Sequence, residues 1–521
     1  MCGIWCITGE TIEEHEAKRY VGCLRNRGPE NLQLFSSKNY QLGFTRLALN
    51  GLSDAGNQPM FDSEVRWVCN GEIYNWKHLA EKIGFLNRTG SDCAVLGSLL
   101  TKSQSLQDFF SSLHGVFAMV LVWKNQIIVG RDPFGVRPLF YSKASKNIVF
   151  ASELKAIPSW RHVSSFPPGC FATVDPITLE MTLQQYHFRI QKEISDSFQS
   201  IRESLEQSVS LRMMTERPVA CLLSGGLDSS LIAALVQKQL KQVNKCLQTF
   251  SIGFENSQDL KYARKVAEHI GSKHTEIIKT PDEFFDAIPS VVKDIESFDI
   301  TTVRASVGNW LLGKYIREHS QCKVVFNGDG SDEVLGGYLY FFKAPSEKEF
   351  EEESDRLLQD IHLFDVLRSD RCISSHGLEP RTPFLDKDFV NTVKSIHVSL
   401  RIPSSQKIEK WILREAFSST DILPHEVLWR KKEAFSDGVS NSQGICWYQE
   451  CQQRALKMFP SWEESSKNIK YLKPISAESY YYRMLFGSYY PGMHNVIPYF
   501  WMPKWSPETK DPSAKTLSLH I

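Results

Sequence analysis

The run 224–230, with the sequence Ser-Gly-Gly-Leu-Asp-Ser-Ser, has the residue types of a phosphate-binding loop. It lies between the apolar stretches 218–223 and 231–236, which predict a strand before the loop and a helix after it. The adjacent glycines, Gly225 and Gly226, let the backbone approach an anion closely, and amide N–H groups at the start of the helix point toward it. The loop therefore predicts a pyrophosphate site, as in a nucleotide that is opened between its α and β phosphates.

Polar side chains of the same loop extend this prediction to a metal ion. Ser224 and Ser229 can donate hydroxyl hydrogen bonds to phosphate oxygens, whereas Asp228 would repel an anion unless a cation such as Mg²⁺ lay beside it. No lysine follows the glycines and the Walker A pattern is absent from the chain, which excludes a P-loop kinase or GTPase. The structural alternative is an ordinary Gly-Ser turn between a strand and a helix.

A second candidate centre lies at the start of the sequence, where Cys2 follows Met1. Removal of Met1 would make Cys2 the N-terminal residue, and its α-amino group could then act as the base or proton relay for its own thiol. Taken alone, a chain that begins with Met-Cys needs no such explanation. The interpretation depends on what the downstream residues supply.

The Asn-Gly-Glu-Ile-Tyr-Asn run that begins at Asn70 follows an apolar stretch and offers the donors that acyl transfer needs. The side-chain amide of Asn70 and the backbone N–H of Gly71 are suited to an oxyanion hole. Arg46 could clamp a substrate carboxylate and Asp92 could hold a substrate ammonium, so that together they would bind an amino acid. Singly, each has a structural alternative: a surface ion pair for Arg46, a helix N-cap for Asp92 and a hairpin turn for Asn70-Gly71.

Ten short motifs occur in the order of one known family. The first half of the chain resembles the glutaminase half of glutamine-hydrolysing asparagine synthetases at residues 2–4 (CGI), 27–29 (RGP), 46–48 (RLA), 70–75 (NGEIYN) and 130–139 (GRDPFGVRPL). The second half resembles their synthetase half at the 224–230 loop and at residues 299–306 (DITTVRAS), 330–338 (GSDEVLGGY), 383–386 (PFLD) and 432–438 (KEAFSDG). Residues 501–505 and 511–514 resemble the animal-type enzymes, so the resemblance covers essentially the whole chain.

This resemblance implies two domains of different fold. Residues 2–188 would form a glutaminase of the N-terminal-nucleophile type, an αββα sandwich, and residues 195–521 an ATP pyrophosphatase-type synthetase domain around a doubly wound parallel sheet. The pattern of the sequence agrees, because short strands and hairpins precede residue 188 and strands alternate with helices beyond the polar segment 189–197. The predicted fold class is α+β followed by α/β.

The resemblance also implies two coupled reactions. Cys2 would attack the side-chain amide of glutamine while Asn70 and Gly71 stabilise the oxyanion. Glutamine would be bound by Arg46, Asn70, Glu72 and Asp92. In the second domain the β-carboxylate of aspartate would attack the α-phosphorus of MgATP, giving aspartyl-adenylate and pyrophosphate, and ammonia would displace AMP to leave asparagine. A protein-lined passage would protect both the ammonia and the adenylate from water.

Roles in the synthetase half follow from the same resemblance. Asp228 and Asp332 would hold Mg²⁺, and Lys432 would neutralise the leaving pyrophosphate. The ATP pocket would consist of Leu222, Ser224, Gly225, Gly226, Asp228, Ser229, Ile252, Asn327 and Gly328. Thr302, Arg304, Asp365 and Arg368 would lie near the aspartate or the phosphates. Buried sheet positions are the alternative for Leu222 and Ile252, and ion pairs with neighbouring carboxylates are the alternative for Arg304 and Arg368.

The departure from the family pattern that bears most directly on catalysis lies in one motif. Where these synthetases typically have Ser-Gly-Glu-Gly-Ser-Asp-Glu, the chain has Asn327 in place of the serine and Asp329 in place of the first glutamate. The family glutamate is implicated as the proton acceptor of the ammonia step. Asp329 is one methylene shorter, and a misplacement near 1 Å can reduce a rate by ~10²-fold, although one bridging water restores reach. We therefore predict an active but slowed synthetase, with Asp329 as a catalytic residue beside Lys432.

Composition excludes other classes of partner. Lys and Arg number 60 and Asp and Glu also number 60, so no basic field is available for nucleic acid or an anionic membrane. The longest conspicuous apolar run, 116–123, is too short to span a bilayer. The 12 cysteines lack paired CxxC spacing, which predicts reduced thiols, a cytoplasmic protein and no transition-metal site.

Two other classes of function stay open at this point. The chain could be a related amidotransferase or cyclase that acts on another carboxylate, or a non-catalytic synthetase-like regulator. The predicted ligands are glutamine, aspartate and ATP with Mg²⁺, and a homodimer is one option for the assembly.

Overall fold

The computed structural model of the chain describes residues 1–62, 64–158, 162–440 and 446–517. Up to residue 185, the described ranges form two antiparallel sheets of six strands each and four α-helices. The strands are β1 (Gly3–Gly9), β2 (Asn31–Ser36), β3 (Tyr40–Arg46), β4 (Met60–Asp62), β5 (Val65–Ile73), β6 (Gly115–Trp123), β7 (Gln126–Arg131), β8 (Phe140–Lys143), β9 (Asn147–Ala151), β10 (Val163–Ser165), β11 (Cys170–Val174) and β12 (Met181–Gln185). The helices are α1 (Glu14–Gly22), α2 (Trp76–Ile83), α3 (Leu96–Lys102) and α4 (Leu106–Ser112).

These two sheets stack face to face between layers of helix. One has the strand order β10-β8-β9-β1-β3-β2 and the other β12-β11-β7-β6-β5-β4. Because successive strand residues point to opposite faces, Ile4 and Cys6 of β1 enter the core between the sheets while Trp5 and Ile7 pack against α1. Helices α2, α3 and α4 cover the outer face of the other sheet. This is the predicted αββα sandwich.

The rest of the described chain is built around a parallel sheet of five strands in the order β15-β14-β13-β16-β17. They are β13 (Val219–Leu222), β14 (Gln248–Gly253), β15 (Lys273–Ile278), β16 (Val324–Phe326) and β17 (Glu379–Arg381). The helices are α5 (Ser197–Leu211), α6 (Leu227–Gln242), α7 (Gln258–Ile270), α8 (Pro281–Ile295), α9 (Ile300–His319), α10 (Ser331–Leu335), α11 (Glu347–Asp360), α12 (Asp365–Ser374), α13 (Lys387–Ser395), α14 (Trp411–Ser418), α15 (His425–Leu428), α16 (Phe435–Gly438), α17 (Trp447–Met458), α18 (Trp462–Ser465) and α19 (Ala477–Tyr489).

Both faces of the parallel sheet are covered by helices. In β13, Ala220 and Leu222 belong to the core shared with α8 and α9, whereas Val219 and Cys221 belong to the core shared with α6 and α7. Burial on both faces explains the nearly continuous apolar character of this strand. The doubly wound arrangement confirms the predicted fold class and brings the carboxyl ends of β13, β14 and β16 to one edge.

Local signals explain where the helices beside that edge begin. Asp299 is the N-cap of α9 and accepts a hydrogen bond from the backbone N–H of Thr302 at 2.9 Å. Thr280 and Glu283 form a capping box at the start of α8. Among the described helices, none has the length and apolar character that a membrane crossing would require.

Candidate active sites

Cys2 lies immediately before β1, in a partly buried position between the two sheets of the sandwich. Its backbone N–H donates to Asn70 Oδ1 at 3.1 Å, and its Sγ lies 3.8 Å from the carbonyl oxygen of Leu47. Burial raises the pKa of the Cys2 thiol to about 11. A thiol in this environment needs a base at hand before it can act as a nucleophile.

Asn70 and Gly71 lie inside β5 rather than in a hairpin turn, so the hairpin alternative is wrong. Asn70 is fully buried, and its Nδ2 has no hydrogen-bond partner among the described residues, which leaves an amide donor free beside Cys2. A Cβ on Gly71 would lie 2.2 Å from the carbonyl oxygen of Val116, so the close pairing of β5 with β6 requires glycine there. An orphaned buried donor of this kind calls for a ligand or a water.

The two residues predicted to bind an amino acid have unlike environments. The Arg46 guanidinium donates only to neutral oxygens in its described contacts, those of Gly51, Ser53 and Asn57, so its charge is not cancelled by a surface ion pair. Asp92 opens a short 3₁₀ helix whose N-cap is the residue before it, so the N-cap alternative for Asp92 is wrong. Burial raises the pKa of Asp92 to about 6, although the carboxylate accepts a 2.7 Å hydrogen bond from the Ile73 N–H.

Glu72 connects the sandwich with the edge of the parallel sheet. Its Oε2 accepts a 2.7 Å hydrogen bond from Asn50 Nδ2 and lies 3.6 Å from Arg381 Nη2 in β17. Burial, followed by the neighbouring charges of Asp92 and Glu379, raises the pKa of Glu72 well above its ordinary value. Glu72 therefore lies among charged groups of both halves of the chain.

Further buried charges join the two halves. Arg27 is fully buried and its Nη1 donates to Glu153 at 2.7 Å and, across the boundary, to Asp370 at 2.8 Å and Ser374 at 2.9 Å. Its Nε donates to the carbonyl oxygen of Cys2 at 3.0 Å. One guanidinium thus holds both the backbone of Cys2 and helix α12 of the second half.

The predicted pyrophosphate loop joins β13 to α6, and its serine hydroxyls close it. Ser224 Oγ and Ser229 Oγ lie 3.0 Å apart, and Gly226 is the N-cap of the 16-residue helix α6. Gly225 has φ of +72°, and a Cβ there would lie 2.4 Å from the backbone N of Ala263 in α7. The glycine therefore permits both the turn and its close packing, and the amino end of α6 faces a cleft that can receive an anion.

This cleft has a volume of about 210 Å³ and lies at the carboxyl ends of β13, β14 and β16. Thirteen of the residues predicted for the synthetase centre line it: Leu222, Ser224, Gly226, Asp228, Ser229, Ile252, Asn327, Gly328, Asp329, Asp332, Asp365, Arg368 and Lys432. A Cβ on Gly328 would lie 2.8 Å from the Cβ of Asp228, so the two loops that carry these residues touch. The parallel sheet therefore assembles segments more than 200 residues apart.

Carboxylates and ammonium groups alternate at the polar end of the cleft. Lys432 Nζ lies 2.5 Å from Asp332 Oδ2, and Lys410 Nζ lies 2.6 Å from Asp332 Oδ1 and 2.5 Å from Asp228 Oδ2. Burial alone would raise the pKa of Asp332, but the two ammonium groups outweigh it and hold the pKa far below its usual range. Ser331 Oγ donates to Asp228 Oδ1 at 2.7 Å.

Asp329 is paired with a guanidinium in the same cleft. Arg368 Nη2 donates to Asp329 Oδ1 and to Asp365 Oδ1, both at 2.8 Å, while Asp329 Oδ2 is buried and has no partner among the described residues. The Tyr338 hydroxyl lies 2.6 Å from Asp365 Oδ2 and 2.5 Å from Glu333 Oε1. Burial and then the neighbouring Asp365 carboxylate raise the pKa of Glu333 well above its ordinary value.

The comparisons with known proteins agree with this geometry. The asparagine synthase family model matches residues 200–354 and 343–471, and the glutamine amidotransferase domain model matches residues 1–204. The glutamine-hydrolysing asparagine synthetase of Gallus gallus is 39% identical over 561 residues, with 99% of this chain and 98% of the relative covered. That of Homo sapiens is 38% identical over 561 residues, with 99% of each covered. The chain belongs to the glutamine-hydrolysing asparagine synthetase family.

A solved structure, glutamine phosphoribosylpyrophosphate amidotransferase from B. subtilis, covers 51% of this chain and 79% of its own at 17% sequence identity. Its TM-score of 0.32 is too low to carry an argument. Membership of the asparagine synthetase family therefore rests on the sequence relatives and the two family models.

Two residues that the asparagine synthetase resemblance placed near the substrates lie elsewhere. The Thr302 hydroxyl donates to the N-cap carboxylate of Asp299 at 2.8 Å, and Arg304 pairs with Glu478 and Asp511, each at 2.6 Å. Neither is among the described residues that line the cleft. Arg304 therefore adopts the ion-pair alternative, and the Thr302 hydroxyl is engaged in the N-cap of α9.

Sequence reasoning missed several cleft residues of this asparagine synthetase family member, among them Thr301 and Lys410. Thr301 lines the cleft, and its buried Oγ1 has no hydrogen-bond partner among the described residues. The N-cap residue Asp299 could have indicated that Thr301 faces the cleft, because the cap engages the hydroxyl of Thr302. Lys410 had no signal, since it reaches Asp228 across 182 residues of sequence from outside every motif.

Proposed function

We propose that this protein synthesises asparagine from aspartate and ATP with ammonia that it releases from glutamine. The observation that carries the proposal is the match to glutamine-hydrolysing asparagine synthetases over 99% of the chain. Two chemically distinct centres support it, a thiol beside free amide donors and a cleft at the carboxyl edge of a parallel sheet. We assign the first to residues 2–188 and the second to residues 195–521.

Glutamine hydrolysis requires that Met1 has first been removed. The α-amine of Cys2 then takes the place of the amide N–H that lies 3.1 Å from Asn70 Oδ1, and it accepts the thiol proton. The thiolate attacks the side-chain carbonyl carbon of glutamine, and Asn70 Nδ2 with the Gly71 N–H stabilises the oxyanion. The amide C–N bond breaks as the α-ammonium of Cys2 returns its proton to the leaving nitrogen, ammonia leaves, and water hydrolyses the thioester to glutamate.

Substrate selection at this centre follows from opposite charges. Arg46, whose described partners are neutral, holds the α-carboxylate of glutamine, and the ionised form of Asp92 holds its α-ammonium. The neighbouring Glu72 lies at the ammonium end of this site. Because both charges of a free amino acid are matched, glutamine is preferred over a glutamine side chain within a peptide.

Aspartate activation takes place in the cleft. The donor set fits Mg²⁺, because the Asp228 and Asp332 carboxylates and the Ser331 hydroxyl between them are hard oxygen donors. When bound there, Mg²⁺ supplies positive charge to the phosphates. The loop that starts at Ser224 and the amino end of α6 hold the leaving pyrophosphate, and Lys432 adds a point charge. The aspartate β-carboxylate attacks the α-phosphorus, and the bond to pyrophosphate breaks.

Ammonia completes the reaction. It attacks the carbonyl carbon of aspartyl-adenylate, the bond to AMP breaks, and the attacking nitrogen loses a proton. Asp329 Oδ2 is the proton acceptor that we propose, because it is buried in the cleft with no described partner, while Arg368 holds Oδ1 at 2.8 Å. The product is asparagine.

The test is the formation of asparagine and AMP by the purified protein, supplied with aspartate and MgATP and with either glutamine or ammonium. Asparagine from both nitrogen sources supports the full proposal. Asparagine from ammonium alone contradicts the glutamine step, and AMP without asparagine contradicts the role of Asp329. If neither product forms, the proposed function is wrong.

A further inference from the structure

Lys410 places an ammonium group between the two carboxylates that are suited to the metal. Its Nζ lies 2.5 Å from Asp228 Oδ2 and 2.6 Å from Asp332 Oδ1, and the residue is only 2% exposed. The contact with Asp228 is a charge-assisted hydrogen bond, and the contact with Asp332 is an ion pair. One lysine therefore contacts an oxygen of each carboxylate.

The backbone adopts an uncommon conformation to place this ammonium. Lys410 is the N-cap of α14, and its φ of +55° lies in the left-handed region that side-chain-bearing residues seldom adopt. Strain of this kind persists where the surrounding structure requires it, and it concentrates at functional sites. The conformation turns the side chain away from solvent and into the cleft.

A second feature of the fold makes room for the same side chain. A Cβ on Gly337 would lie 2.0 Å from Lys410 Cε and 2.2 Å from Asp332 Oδ1. Any larger residue at position 337 would therefore displace either the lysine or the carboxylate. The left-handed lysine and the glycine opposite it are independent observations that point to one arrangement.

The charges in this cluster are balanced without a metal ion. Asp228 and Asp332 contribute two negative charges, and Lys410 and Lys432 contribute two positive charges. A lone divalent cation would add two positive charges beside the buried Lys410 ammonium and the partly buried Lys432 ammonium, which is unfavourable at low local dielectric. A cation that arrives bound to a triphosphate is accompanied by negatively charged phosphate oxygens, and the ammonium groups can then contact those oxygens.

We propose that Lys410 is a built-in competitor for the divalent metal, which keeps Asp228 and Asp332 from binding the free ion and makes metal entry depend on the nucleotide. When the metal–nucleotide complex binds, the Lys410 ammonium exchanges these carboxylates for phosphate oxygens. The inference rests on the proposed function, because it concerns the metal site of the same cleft.

The test measures Mn²⁺ binding by electron paramagnetic resonance, without substrates, in the wild type and in Lys410→Met. We expect the variant to bind free Mn²⁺ at least 10-fold more tightly at this site. The control is Lys431→Met, which removes the same charge from an exposed position in the same cleft and should leave Mn²⁺ affinity unchanged. Adding Asp332→Asn to Lys410→Met should abolish the gain, because one of the two freed carboxylates is lost.

The same titration in the presence of α,β-methylene-ATP tests the exchange. The wild type should now bind Mn²⁺ tightly, and Lys410→Met should bind the Mn²⁺–nucleotide complex more weakly than the wild type, because a contact to phosphate is missing. If Lys410→Met does not fold, the same titrations are made with Lys410→Gln, which keeps a hydrogen-bond donor but removes the charge. We expect the same changes in Mn²⁺ affinity for this variant.

Equal affinity of the folded variant and the wild type for free Mn²⁺ would overturn the inference. Asparagine formation by the wild type is measured separately. A negative Mn²⁺ result therefore leaves the proposed function standing, and failure of asparagine formation does not by itself change the Mn²⁺ comparison.

Discussion

Replacement of Asp329 by Glu tests whether a shortened carboxylate limits the synthetase. Asp329 lies in the loop between β16 and α10, where Arg368 Nη2 holds its Oδ1 at 2.8 Å and holds Asp365 Oδ1 at the same distance. The second oxygen of Asp329 is buried without a described partner. Arg368 therefore restrains the carboxylate at one oxygen, and reach toward the adenylate depends on side-chain length.

The expected gain follows from geometry. One methylene extends the carboxylate by about 1.5 Å, and misplacement of a reacting group by ~1 Å changes rates by up to ~10²-fold. Because the Arg368 contact limits how far the group can shift, we expect ammonium-dependent kcat to rise by about 10-fold, which corresponds to ~1.4 kcal/mol of transition-state stabilisation. The ratio of asparagine to AMP should also rise toward one, since less adenylate is lost to water.

The assay measures asparagine and AMP in the same quenched samples, with ammonium as the nitrogen source. Asp365→Glu is the matched control, because it adds the same methylene to the other carboxylate on the same nitrogen of Arg368. It should not raise the rate or the ratio, since Asp365 is engaged by Tyr338. A folded Asp329→Glu enzyme with an unchanged or lower ammonium-dependent rate would refute the reasoning.

Four further predictions concern the glutaminase half and its boundary. Cys2→Ala should abolish asparagine formation from glutamine and spare the ammonium-dependent reaction in paired assays; equal loss of both would contradict the assigned role. Because burial raises the pKa of Asp92 to about 6, KM for glutamine should rise as pH falls through 6. A raised pKa means that the folded protein binds the Asp92 proton more tightly than the unfolded chain does, so the stability that this proton contributes is lost as pH rises through 6. At pH 8, Asp92→Asn removes the buried charge and should therefore raise the free energy of unfolding by ~1–3 kcal/mol in urea titrations. Arg27→Met leaves Glu153 and Asp370 buried without this partner and should lose ~3–5 kcal/mol of unfolding free energy, with a smaller loss for Arg27→Lys.

Short sequence patterns predicted the secondary structure that is determined by neighbouring residues. The apolar stretch, the glycine pair and the following helical run around residue 224 predicted the strand, turn and helix that the structure contains. Alternation of strands and helices predicted the parallel sheet, and short hairpins predicted the sandwich. The charge-rich segment 347–360 is helix α11, and its Glu353 is fully buried. Glu353 accepts hydrogen bonds from Tyr340 and Arg356, partners that periodicity does not identify.

The failure at Thr302 is local: Thr301 and Thr302 are adjacent and chemically alike, and the N-cap at Asp299 decides which of them faces the cleft. The failures at Arg304 and Lys410 have another cause, which is that side-chain direction depends on contacts distant in sequence. Arg304 is drawn to Glu478, 174 residues away. Lys410 reaches its carboxylates only because the parallel sheet brings the loops after β13 and β16 together. No spacing rule within a window of one or two helical turns contains this information.

The buried ion pairs at the boundary between the two halves are better explained by their effect on the relative orientation of the halves than by their contribution to the stability of the protein. Arg27 pairs with Asp370, Arg137 Nη2 lies 3.4 Å from Glu379, and all four groups are buried. Desolvation of such pairs offsets most of their attraction, and apolar residues of similar volume often stabilise a protein as well or better. Apolar surfaces, however, can slide against each other, whereas a guanidinium that donates hydrogen bonds to groups on both sides of the boundary, as Arg27 does, tolerates one geometry. Since Arg27 also holds the backbone of Cys2, and α12 also carries Arg368 into the cleft, Arg27 fixes the position of Cys2, the nucleophile that we propose, relative to the helix that lines the cleft.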